Sequence, residues 1–148
     1  MFKHILLPTD GSKLSARAVK CGIEFAKSVK AKVTTVHVVP EFRMLMDEGF
    51  VSPMGADMKK RFETESREHA KKLLAKVEKA AKTAGIKCEA VAVVGDLPFQ
   101  HIIETAKKKK CDLIMMASHG RKGRSSVLLG SETAKVLTHS KIPVLVVR

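Results

Sequence analysis

Strand-like apolar runs alternate with amphipathic helical stretches along the whole chain. This predicts an α/β fold: an open, five-stranded parallel sheet with helices on both faces. Three observations carry the prediction. Ile5–Leu7 and Leu113–Ala117 are apolar at every position, as strands buried on both faces must be. Between such runs, apolar residues recur at steps of three and four, the period of a helix with one buried face. No linker, internal repeat or low-complexity segment breaks the 148 residues, so a single domain over 1–148 with a sizeable core is expected.

Taken in order, Ile5-Leu6-Leu7 is the first strand, and Pro8-Thr9-Asp10-Gly11-Ser12 is a turn cluster leading into a helix. Leu14, Ala18, Cys21, Phe25 and Val29 give that helix an apolar face. Val33–Val39 is a β-branched second strand, ended by Pro40. The segment 41–55 has no clean period and carries Met44, Met46 and Met54, side chains flexible enough to fill gaps against the core or to adapt to a ligand. A long helix is expected over Asp57–Ala84, with Met58 and Phe62 near its start, Leu73, Leu74, Val77 and Ala81 later, and Gly85 placed to cap its end. Lys87–Val94 is the third strand. Gly95-Asp96-Leu97-Pro98 opens the next helix, with Asp96 as the capping acid and a proline in the first turn. Phe99, Ile102, Ile103 and Ala106 supply its buried face, and Lys107–Lys110 crowd its last turn, where cations favour the negative end of the helix dipole. After the fourth strand comes a glycine loop, then a helix from Ser131 to about Ser140, and Val144–Val147 as the last strand.

Lys and Arg number 28 against 15 Asp and Glu, a net charge of +13. The excess is spread over helix faces, and with no Trp or Tyr there is no basic surface interleaved with stacking aromatics, so a solvated basic surface is expected and no specific nucleic-acid site. Cys21, Cys88 and Cys111 are odd in number and far apart, which indicates neither a disulfide framework nor a zinc site. The chain passes from Met1-Phe2-Lys3 straight into a strand and contains no run long enough to span a membrane, so a cytoplasmic location is expected.

The chemistry concentrates after the fourth strand. Gly120 and Gly123 flank Arg121 and Lys122, and Gly130-Ser131 opens a helix. Glycine lets main-chain N–H groups approach a ligand without a Cβ in the way, and a helix start adds unpaired donors and the positive end of the dipole. That combination suits phosphate. A plain strand-to-helix connection with Ser131 as its N-cap is the competing reading, and neither the Gly-x-Gly-x-x-Gly fingerprint nor the P-loop spacing is present.

The detailed spacing resembles that of the universal stress protein family, whose nucleotide-binding branch carries Gly, two residues, Gly, nine residues, then Gly-Ser or Gly-Thr. Here Gly120 and Gly130-Ser131 fill the later positions, and the first falls on Ala117, a departure. Pro8-Thr9-Asp10, His37-Val38 and the C-terminal Ile142-Pro143-Val144-Leu145-Val146-Val147 also resemble the family, so the likeness covers nearly the whole chain. It implies a Rossmann-like sheet of strand order 3-2-1-4-5, with a reversal between the first and fourth strands. Ligands bind at such reversals, beyond the strand C-termini.

The resemblance further implies ATP or AMP as the ligand, with Mg2+ bound through the phosphates. Gly120, Arg121, Gly130, Ser131 and the N–H of Glu132 would hold the phosphates, Asp10 the ribose, and the main chain of Val38 the adenine. Pro8, Thr9, Met116, Ala117 and His119 would complete the lining. Asp10 is equally suited to cap the first helix, and His119 reads as a satisfied loop histidine rather than a catalytic one. At Ala117 a family glycine would permit close approach to the sugar or a positive φ; if positive φ is required, alanine costs about 1 kcal/mol. The last strand of the family pairs with its copy, which implies a homodimer through Val144–Val147. Three function classes stay open: a nucleotide-binding stress-response or signalling regulator acting on an unknown protein partner, an enzyme that slowly hydrolyses ATP or transfers its nucleotidyl group, and a basic protein for nucleic acid.

Overall fold

The central strands are short and wholly apolar because helices cover both of their faces. In the computed structural model, which describes residues 1–43, 53–120 and 129–148, β1 (His4–Pro8) and β4 (Leu113–Ala117) are buried at every position. The remaining elements are α1 (Lys13–Val29), β2 (Lys32–Val39), α2 (Pro53–Thr83), β3 (Cys88–Val94), α3 (Pro98–Lys108), α4 (Ser131–His139) and β5 (Val144–Val147). All pairings are parallel and the strand order is β3-β2-β1-β4-β5, as expected. Alternate side chains build two cores. Ile5, Leu7, Val33, Leu113 and Met115 pack under α1 and α2, while Leu6, Val36, Ile114 and Met116 pack under α3 and α4.

Several local expectations are corrected. The buried face of α1 is Ser15, Ala18, Val19, Gly22, Ile23 and Ala26, with Cys21, Phe25 and Val29 on its flank and Leu14 exposed. The rotation follows from close packing: a Cβ on Gly22 would lie 2.4 Å from Leu7 Cδ2, so the helix meets β1 through its smallest residues. The helix α2 begins at Pro53 rather than Asp57, since proline fits a first turn whose N–H has no helical partner. Met54 lies exposed in that first turn, whereas Met44 and Met46 fall outside the described residues. Gly85 caps α2 as expected, at φ +77°, with its N–H on Lys82 O and that of Ile86 on Ala81 O.

Asp96 does not cap α3. The N-cap is Leu97, which has no side-chain bond to give, and Asp96 instead accepts from the Glu41 N–H and pairs with Arg43. The missing cap comes from another helix: Glu132, in the first turn of α4, accepts the Phe99 N–H at 2.9 Å. The lysine run also does more than face a dipole. Lys109 pairs with Glu89 of β3 and holds that carboxyl below its usual range, and Lys110 turns the chain at φ 56°.

Candidate functional site

The reversal in strand order falls between β1 and β4, whose pairing stops at Leu6–Ile114, short of both C-terminal ends, the place where such sheets open a crevice. A cavity of about 910 Å3 lies there, inside the span of roughly 300–1,000 Å3 usual for small-molecule sites. Pro8, Thr9, Asp10, Val38, Met116, Ala117, His119, Gly120, Gly130, Ser131 and Glu132 all line it. Arg121 lies outside the described residues.

One wall is the turn after β1. The Thr9 N–H bonds Val36 O at 2.9 Å, and the Thr9 hydroxyl meets that of Ser15 at 3.2 Å, so the strand end is held by both β2 and α1. His37 Nδ1 lies 2.8 Å from Thr9 O. A carbonyl only accepts, so Nδ1 carries the hydrogen in that pair. Asp10 Oδ1 accepts the Ser12 N–H at 2.9 Å, but Ser12 itself is the N-cap of α1, its Oγ accepting from Ser15 N at 3.2 Å. Asp10 thus braces the turn that precedes the cap, and its carboxylate still borders the cavity.

The opposite wall is the end of β4 and the start of α4. Ala117 belongs to the strand, and among the described non-glycine residues only Lys30 and Lys110 have positive φ, so the departure from glycine carries no backbone strain. The Thr133 hydroxyl donates to Ala117 O at 2.9 Å and the Gly130 N–H to Ser118 O at 2.7 Å, which fastens the helix start to the strand end. Space is tight at both glycines. A Cβ on Gly120 would sit 2.7 Å from Asp10 Oδ2, and one on Gly130 would meet His119 Cα and Ser118 O at 3.2 Å each. His119 Nδ1 is 2.9 Å from the Ser118 hydroxyl, while its buried Nε2 has no hydrogen-bond partner among the described residues, so the loop histidine is only half satisfied.

Three helices start at this crevice, and their first turns are treated differently. The α1 start is capped by Ser12 and the α3 start is met by Glu132. The α4 start is capped by Gly130, not by Ser131 as the sequence suggests, and glycine has no side chain to occupy the open N–H groups. The positive end of that helix therefore faces the cavity with donors available, which is the chemistry of an anion site.

A further wall escaped the sequence reading. Phe62, Glu65, Ser66 and His69 of α2 also line the cavity, and their spacing of three, four and seven is the signal that could have found them. Among the described residues no group of three metal-binding side chains comes together, and no helix is long and apolar enough to cross a membrane. Burial pushes the Cys88 and Cys111 thiols up to about 11, so neither is a ready nucleophile.

The model of the universal stress protein family matches residues 1–148. Universal stress protein MJ0531 of Methanocaldococcus jannaschii is 36% identical over 150 residues, which cover 100% of this chain and 83% of that relative. The solved structure of MJ0577, from the same organism, aligns with a TM-score of 0.83 at 31% identity, covering 99% of this chain and 96% of that one. A universal stress protein solved in complex with cAMP aligns with a TM-score of 0.70 at 25% identity, over 99% of this chain and 97% of that one. The glycine spacing, the strand order and these likenesses agree, and the chain belongs to the universal stress protein family.

Proposed function

We propose that the crevice binds an adenine nucleotide, ATP or AMP, and that the chain acts as a nucleotide-responsive regulator in a stress or signalling response. The observation that carries this is the α4 start, where a glycine cap leaves main-chain donors open beside two positions where a Cβ would crowd its neighbours. A relative that binds cAMP adds support from the side of the ligand. Phosphates would lie on Gly120, Gly130, Ser131 and the Glu132 N–H, with Mg2+ held through the phosphate oxygens. The ribose would meet Asp10, and the adenine the main chain of Val38 above Met116 and Ala117. His119 Nε2, buried and without a hydrogen-bond partner among the described residues, lies beside the proposed phosphate positions.

The same reading includes a homodimer. The strand β5 is an edge, bonded to β4 on one side only, with Leu145 exposed and its three neighbours half-buried. Such an apolar edge is covered or paired in natural proteins, and a second copy pairs it with closed two-fold symmetry.

Mass spectrometry of the small molecules released from purified protein tests the nucleotide directly. An adenine nucleotide in near-stoichiometric amount is the expected result. Protein that releases none and gives no heat with ATP or AMP in calorimetry would sink the proposal. Phosphate release well above that of Gly130→Val would add turnover to binding.

A further inference from the structure

The helix α2 turns two faces towards the rest of the chain. Over the sheet it is apolar, with Ala70, Leu74, Val77 and Ala81 buried. About a quarter-turn round the helix and nearer its start, Phe62, Glu65, Ser66 and His69 border the 910 Å3 cavity, with Phe62 and Ser66 half-buried and Glu65 and His69 exposed. They place a carboxylate, a hydroxyl and an imidazole, all hydrogen-bonding groups, on the cavity wall.

The wall is fixed at both ends. The Phe62 ring packs on Phe42 with centroids 5.5 Å apart, and the His69 ring meets His37 edge-on at 6.0 Å. His37 is in turn bonded to Thr9 O, at the end of β1. Position then decides which half of a ligand the wall would touch. In the sheet, α2 packs over β2 and β3, whereas the open helix start belongs to α4, beyond β1 on the β4 side. A carboxylate repels phosphate, and Glu65 has no ion-pair or hydrogen-bond partner among the described residues. The phosphate end and the α2 wall are therefore at opposite ends of one ligand.

We propose that Glu65 and Ser66, with His69 beside them, are specificity-determining residues that accept hydrogen bonds from the donor groups of the nucleoside half, the base amino group or the sugar 2′-hydroxyl. This rests on the nucleotide reading above and extends it from phosphate recognition to nucleoside discrimination. A site built to accept a hydrogen bond rejects an analogue that lacks the donor, because its own group is then left unpaired.

Calorimetric affinities for ATP, ITP and dATP, measured on the full native chain and on Glu65→Ala and Ser66→Ala, test it. ITP lacks the base amino group and dATP the 2′-hydroxyl, so the two arms tell the donors apart. The native chain should prefer ATP over at least one analogue by about tenfold, roughly the worth of one such bond. In the variants that ratio should fall severalfold while affinity for tripolyphosphate stays level, and Glu65→Gln, which keeps an acceptor oxygen, should restore part of it. ATP binding by the native chain with the same preferences in both alanine variants overturns the α2 wall and leaves the nucleotide site standing. No binding of any of the three by the native chain overturns both.

Discussion

Replacing Gly130 probes the phosphate end with a magnitude that can be worked from distances. A Cβ at this position would meet His119 Cα and Ser118 O at 3.2 Å, and both are backbone atoms of a loop already tied down by the 2.7 Å bond from the Gly130 N–H to Ser118 O. Neither can swing aside as a side-chain tip could. Gly130→Ala should thus force a shift of a few tenths of an ångström, at an overpacking cost of about 1–3 kcal/mol plus several tenths for a poorer N-cap. For a chain of this size each kcal/mol lowers the melting temperature by about 2–4 °C. Gly130→Val adds two γ-carbons at the cavity edge, in front of the donors of Ser131 and Glu132. Loss of two charge-assisted bonds, discounted for an open site to about 3 kcal/mol together, raises the ATP Kd about 100-fold. Isothermal calorimetry supplies the affinity, and circular dichroism with a thermal melt supplies the folded fraction by which it is corrected. A valine variant that is folded and binds ATP within about twofold of the native chain would refute the placement of phosphate at this helix start.

Three further outcomes are expected. Sedimentation velocity should find a dimer at tens of micromolar for the native chain and a monomer for Leu145→Lys combined with Val147→Lys; a native monomer, or a variant that dimerises equally well, would mean that β5 is managed another way. His4 is buried against Thr34, and burial, then Lys32, lowers its pKa below 6.5, so the native state binds fewer protons than the unfolded chain. Stability should therefore fall as pH drops from 6.5 towards the folded-state value and be level in this term above it; urea titrations at pH 5 and 7 should show a shallower fall in His4→Gln, and parallel slopes would exclude the histidine as the cause. With its charge of +13, the chain should bind DNA weakly and without sequence preference at low salt and release it near physiological salt, and tight sequence-selective binding in a gel-shift assay at physiological ionic strength would put nucleic acid first among its partners.

The fold was legible in the sequence because its signals are local and repeated. Leu113–Ala117 can only be a strand buried on both faces, and the step from strand to glycine loop to helix recurs where the ligand crevice must be. The strand order came from the family likeness, not from periodicity. What was hidden depends on contacts between distant residues. Asp96 has the right type and place for a cap, yet Arg43 and the Glu41 amide claim it, and Glu132, thirty-three residues beyond the Phe99 N–H it accepts, does the capping. Large apolar residues mark the wrong face of α1, because contact with Leu7 selects Gly22 for its small size and the Thr9 hydroxyl draws Ser15 inward. At the site, the strand ends were readable from their turn residues, but the α2 wall was not, since Glu65 and His69 on a long polar helix look like plain surface and only the fold sets them beside the cavity.

The first turns of the three helices imply that orientation is fixed by subtraction. An anion entering the crevice meets three dipoles of the same sign, any of which could hold it. The chain has already answered two of them with its own oxygen atoms, Ser12 Oγ at α1 and the Glu132 carboxylate at α3. A nucleotide presented back to front would set its charge against the Glu132 carboxylate at α3, or against a first turn whose N–H is already taken by Ser12 Oγ at α1, so the open N–H groups of α4 would favour one heading. Glu132 takes part in both halves of that decision, its main chain belonging to the turn left open and its side chain closing the neighbour. A change at this one residue should therefore alter which way round a ligand lies before it alters how tightly the ligand is held.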